Sequence, residues 1–170
     1  RSEAISVQDE RLQLRELFDQ ADASLGAIPD WLLAKYALVS WIDELLVDLP
    51  WNGREWWSNN VMEVELFNTR LCNERFFVRA KEAAALTTRD ALEVCYDCVL
   101  LGFRGLYRDA QLAEALTRAH GLPADLAGWL RQVSQAIKFG QKSATPDYAM
   151  HELTGAPPLK PRAALIWSCL

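Results

Sequence analysis

The sequence predicts an all-α domain of six to eight helices, followed by an extended C-terminal tail. Three observations carry this. Apolar residues recur at helical spacing along most of the chain, and no series of strand-like alternations replaces it. Breakers such as Gly26 with Pro29, Pro50 with Gly53, and Gly121 divide the periodic stretches. Beyond Gly140 the periodicity fades into a segment holding Pro146, Gly155, Pro157, Pro158 and Pro161. The division is therefore a helical domain over 1–140 and a tail over 141–170.

The first helix is expected from about Val7 to Ala23, with Leu14, Phe18 and Ala21 on one stripe and Arg11, Arg15 and Asp19 away from it. Asp30 is expected to cap the second, where Leu32, Tyr36, Val39, Ile42, Leu46 and Leu49 keep helical spacing. Other apolar residues fill its remaining faces, so this helix should be surrounded. A connector with Trp51, Trp56 and Trp57 follows, then a helical region from about Asn60 to Ala85, interrupted near Asn68–Asn73. Asp90 and Glu93 have capping-box spacing ahead of Leu92, Tyr96, Val99 and Phe103. Gly102 and Gly105 loosen the end of that helix. Asp109 can cap a short helix through Ala119, closed by Gly121. Pro123 fits a first helical turn, and Leu126, Leu130, Val133 and Ile137 carry the last helix.

A chain of 170 residues can bury a substantial core, and 51% hydrophobic with 24% charged residues suits a folded domain. Net charge is −5, and nowhere do Lys and Arg reach the density of a nucleic-acid footprint, so no nucleic acid is expected. The first residues, Arg-Ser-Glu, have neither a basic n-region nor an apolar h-region, and the expectation is a piece of a longer chain without a secretory leader. The run from Trp31 to Leu49 has the length of a membrane span but contains Lys35, Asp43, Glu44 and Asp48. Charges at mid-span cost about 2.5–3.5 kcal/mol each on insertion. A buried central helix fits better. Ala163, Ala164, Leu165, Ile166 and Trp167 begin a second apolar run, which reads as the first turn of a span.

Groups for chemistry are sparse. Cys95 and Cys98 form a CxxC inside a helix rather than at a helix start after a strand, where the dipole would activate a thiol. Cys72, Cys169, His120 and His151 lack the spacing of zinc ligands, so no metal or cofactor is expected. The cysteines form no disulfide framework, and a reducing cytosol suits them. Phosphate-loop, nucleophile-elbow and dinucleotide motifs are missing from the sequence. Asp43-Glu44 stands out as two adjacent carboxylates in an apolar helix. Neighbours on a helix point about 100° apart, which disfavours a catalytic dyad. They are expected to pair with a cation such as Arg70, Arg75 or Arg104, to meet a helix N-terminus, or to border a polar cleft. Seven tryptophans are many for one domain, and those near Trp51–Trp57 either close the core or anchor another protein.

The segment from Lys35 to Glu44, with Tyr36, Trp41 and a closing Asp43-Glu44, resembles a helix of the TssL/DotU family. The resemblance continues through Trp51 and Trp57, Glu65-Leu66-Phe67-Asn68-Thr69, and Asn73-Glu74-Arg75-Phe76-Phe77. It closes on Glu93-Val94-Cys95-Tyr96 and the Gly102-Phe103-Arg104-Gly105 block, covering about Leu32 to Arg108 in order. Cys72-Asn73 departs from the family's usual Ala-Gly before the Glu, and Asn73 is expected to take over the left-handed turn. The resemblance implies two small helical bundles meeting at a cleft, and a cytoplasmic domain tied to the bacterial inner membrane by a C-terminal span. It implies a non-enzymatic scaffold of a type VI secretion system, in a membrane complex with TssM (IcmF-like) and, through it, TssJ. Contact with the baseplate protein TssK is implied too, with weak homodimerisation left open. On this reading Asp43 and Glu44 border the cleft, and Trp51, Asn52, Arg54 and Glu55 form a contact surface beside it.

Three readings compete. The sister one is the DotU/IcmH subunit of a type IVB secretion system. Another is a thiol or metal enzyme built on Cys95 and Cys98, and the third a helical regulator binding a small molecule in the same cleft.

Overall fold

The computed structural model describes residues 6–141. Eight α-helices and one 3-10 turn make up the described residues: α1 (Val7–Leu25), α2 (Pro29–Asp48), α3 (Arg54–Asn59), α4 (Met62–Phe67), α5 (Cys72–Ala84), α6 (Asp90–Leu100), the 3-10 turn (Gly105–Arg108), α7 (Ala110–His120) and α8 (Leu126–Gln141). The all-α expectation holds, and no strand forms among these residues. The expected tail lies outside the described residues.

α2 is the axis, packed against α3, α4, α5 and α6. It feeds two apolar cores. The first gathers Phe76, Phe77, Leu92, Val99, Phe103, Trp129 and Val133 around Leu33, Ala34 and Ala37 of α2. Its aromatic centre is close: the Phe76 and Phe103 rings lie 4.1 Å apart, and Phe77 meets Trp129 edge-on at 5.3 Å. The second core joins Phe18, Trp57 and Met62 to Val39 of α2. Small alanines thus face one side of α2 where bulky rings arrive, as close packing requires.

The local signals that held are those with a side chain in reach. Asp109 Oδ1 accepts from the amides of Gln111 at 2.8 Å and Leu112 at 3.1 Å, starting α7 as expected, and Gly121 ends it in the left-handed region. Others need correction. Pro29 takes the first turn of α2, so Asp30 sits one residue inside and accepts instead from Thr88 Oγ1 at 2.5 Å. Arg89 is the N-cap of α6, so Asp90 and Glu93 form no capping box. Pro123 precedes α8, whose first turn is held by Asp125 Oδ1 accepting from the Gly128 amide at 2.6 Å. The left-handed residue between α4 and α5 is Asn68, with φ 52°, and Asn73 lies within α5. Within the Trp-rich connector, residues 54–59 are helical rather than irregular.

The apolar run on α2 is a buried helix with partnered charges. Lys35 Nζ donates to Asp22 at 2.6 Å, and Asp48 pairs with Arg108. No helix among the described residues is long and apolar enough to cross a membrane.

Candidate functional site

The last turns of α2 organise the region that the sequence marks. Asp43 is only 2% exposed. Its Oδ1 accepts from Trp57 Nε1 and the Met62 amide, and its Oδ2 from the Glu63 amide, each at 2.8 Å. α4 has no capping side chain of its own, so Asp43 supplies its N-terminus from across the core. Burial pushes this carboxyl above the usual carboxylate range, against the pull of the backbone donors, Trp57 and the nearby Arg11.

Glu44 points the other way. Its two oxygens accept from the amides of Arg104 at 2.7 Å and Gly105 at 2.9 Å, and Oε1 lies 3.1 Å from the Arg108 guanidinium. Gly105 allows this with φ +49°, where a Cβ would stand 2.8 Å from the Asn73 carbonyl oxygen.

A third carboxylate repeats the arrangement. Glu63 is fully buried; Oε1 accepts from Tyr36 Oη at 2.6 Å and the Leu71 amide at 3.1 Å, and Oε2 from the Cys72 amide at 3.1 Å. It serves the N-terminus of α5, which lacks a side-chain cap. Burial and the adjacent carboxylate push the Tyr36 phenol well above its ordinary range, so it stays a donor. Sequence reasoning missed Glu63. The signal was available, because Glu63 precedes Leu66 and Phe67 by three and four residues and so shares their inward face.

Arg70, Arg75 and Arg104 are not the cations these carboxylates meet. Arg70 donates to the Ser58 carbonyl, and Arg104 serves Glu44 through its backbone amide. Arg108 takes that place, pairing with both Glu44 and Asp48.

The six expected contact residues divide by exposure. Asp43 is interior, and the Glu44 side chain is 10% exposed. Asn52, Arg54 and Glu55 are exposed on the turn and at the start of α3, and Trp51 is half-buried with Nε1 donating to the Leu46 carbonyl at 2.8 Å. Trp51 lines an apolar groove of about 470 Å³ together with Glu10 and Leu14 of α1, Trp41, Ile42, Leu45 and Leu46 of α2, and Leu49 just after that helix. A smaller hollow of about 60 Å³ lies beyond Trp41 and Leu45, walled by Glu44, Asp48, Leu101, Gly102 and Phe103. Trp41 Nε1 is buried and has no hydrogen-bond partner among the described residues.

The other marked residues have structural places. Phe76, Phe77 and Phe103 are core, and the Phe67 ring meets Tyr36 edge-on at 4.9 Å. Tyr96 is partly buried against the first core. Gly102 turns the chain out of α6 with φ +116°. Glu74 Oε1 lies 2.6 Å from His120 Nε2, joining α5 to α7.

The thiols are poorly suited to the enzyme reading. Cys95 and Cys98 are buried inside α6, and burial pushes the Cys98 thiol up to about 12 and Cys95 higher still. No group of three or more His, Cys, Asp or Glu among the described residues is placed to hold a metal ion. Cys169 and His151 lie outside those residues.

A family model described as type VI secretion system protein DotU matches residues 2–170. No curated protein and no solved structure matches the chain at significance.

Proposed function

The chain belongs to the DotU family of type VI secretion system proteins, and on that premise we propose that it is a scaffold and docking subunit of the secretion machine's membrane complex rather than an enzyme. It recruits the cytoplasmic baseplate, through a TssK-like protein, to the inner membrane. There it assembles with a TssM (IcmF-like) subunit and, through it, TssJ, and is anchored by a C-terminal span.

The observation that supports this is the groove on the second half of α2. It presents Ile42, Leu45, Leu46 and Leu49 beside the half-buried Trp51 and the polar Glu10, and the exposed Asn52, Arg54 and Glu55 follow Trp51 in the chain. An apolar floor with aromatic anchors and a polar rim is the anatomy of a protein-docking surface. Catalysis has no comparable support, since Asp43, Glu44 and Glu63 are each held by structural donors.

The test is a titration of this domain against the purified baseplate protein encoded beside it, using Leu46→Asp and the pair Arg54→Glu with Glu55→Lys. Charge reversal at Asp43 is the wrong perturbation, because it would strike the core. Saturable binding that these exposed or groove-lining changes weaken at least tenfold, with the helical circular dichroism retained, supports docking here. Wild-type affinity in all variants would move the contact to another surface and defeat the groove assignment.

A further inference from the structure

We propose that α1 is an ionically latched cover that detaches from the second core as a unit and thereby widens the groove on α2. This goes beyond the docking reading and does not depend on which partner binds.

The grounds are in how α1 is held. Of its 19 residues only Phe18 is buried, and Leu12 and Leu17 are 59% and 60% exposed. α2, by comparison, buries nine side chains. Besides Phe18, α1 rests only the partly buried Val7 and Leu14 on the second core, and its polar ties reach it from two ends. Near its start, Arg11 donates to Glu65 Oε2 at 2.6 Å and to the Asn60 carbonyl at 2.8 Å, and Arg15 also pairs with Glu65. Near its end, Asp22 accepts from Trp31 Nε1 at 2.7 Å and Lys35 Nζ at 2.6 Å. Glu65 and Asp22 carry both latches; each side chain is 42% exposed, against 14% for Arg11 and 11% for Lys35, so dissolved salt screens them in part.

Detachment has a defined result. It lifts Leu14 and Glu10, one wall of the groove, away from Ile42 and Leu46. It also withdraws Phe18 from Val39, Trp57 and Met62. The exposed face of α2 then extends from the groove onto the second core. An element with few buried contacts and exposed ionic ties is the kind that opens below the global unfolding free energy.

Hydrogen–deuterium exchange on the full chain, read by peptide, tests this. Residues 7–25 should exchange as one cooperative block, ahead of α2, α5 and α6. Raising NaCl from about 0.05 to about 0.5 M should speed that block several-fold and leave α5 and α6 unchanged. The Glu65→Gln, Asp22→Asn double variant should speed it by roughly five- to tenfold at low salt and remove most of the salt effect. Two outcomes overturn the proposal: exchange of residues 7–25 at the same rate as α2, which means one global unit, or a rate that neither salt nor the double variant changes. The wild-type salt arm decides the matter even if the double variant folds poorly.

Discussion

Replacing Glu63 with glutamine should destabilise the domain by about 3 kcal/mol, although the two side chains have almost the same volume. Oε1 takes the Tyr36 hydroxyl and the Leu71 amide, and Oε2 takes the Cys72 amide. Glutamine can keep one oxygen on the first pair, but its NH₂ must then face the Cys72 N–H, donor against donor. One charge-assisted bond is lost, two become neutral, and a buried amide is left unpaired; each such change is worth about 1–3 kcal/mol, less the desolvation relieved on removing the charge. A shift of about 3 kcal/mol corresponds to roughly 10 °C in Tm for a domain of this size. Urea unfolding followed by circular dichroism measures it, with Tyr36→Phe and the double variant completing a cycle. Coupling of about 1 kcal/mol or more between the two sites is expected. A loss below about 0.5 kcal/mol at an unchanged m-value would refute the reasoning, because it would mean that the carboxylate gains nothing over a neutral amide.

Gly105→Ala should cost about 2 kcal/mol or more, because φ is +49° and the new Cβ meets the Asn73 carbonyl oxygen at 2.8 Å; thermal unfolding reads this, and a wild-type Tm would argue against the Glu44 clamp geometry. Arg108→Ala should cost less than about 1 kcal/mol at pH 7, since Asp48 and Arg108 are 44% and 49% exposed and Glu44 keeps its two backbone donors. The Arg108 guanidinium holds the Asp48 carboxyl below its usual range, so that stability is present above the unfolded-state value and disappears as pH falls through the lower folded one. The gap between wild type and variant should therefore shrink below about pH 4, as urea midpoints at several pH values will show. A brief alkylation pulse at pH 8 should leave Cys95 and Cys98 unmodified until the protein is unfolded, whereas rapid labelling of either in the native state would reopen the thiol-enzyme reading.

The sequence made the fold class and the central position of α2 legible because both depend on apolar periodicity, which needs no knowledge of neighbours. The start of α7 was legible for the same reason, since Asp109 caps a helix that begins at the next residue. Asp90 and Glu93 have capping-box spacing, yet the chain enters α6 through Arg89. Asp43 and Glu44 were conspicuous as charges in an apolar helix, but their partners are amides about 20 and 60 residues onward, which tertiary structure alone brings near. Arg108 was missed because an arginine at a helix-ending turn looks like ordinary surface. The groove was legible only in its residue types. Its shape depends on how far α1 stands from α2, and no spacing in the sequence encodes that distance.

Asp43 and Glu44 are neighbours in the chain, yet one grips the start of α4 and the other the turn after α6. α2 therefore behaves mechanically as an axle keyed to both halves of the domain, since neither half can twist about it without breaking a pair of hydrogen bonds from backbone amides. Tension on either half is then shared across the whole fold. A pulling experiment across the two halves should give one rupture rather than two, and Glu44→Ala should split it.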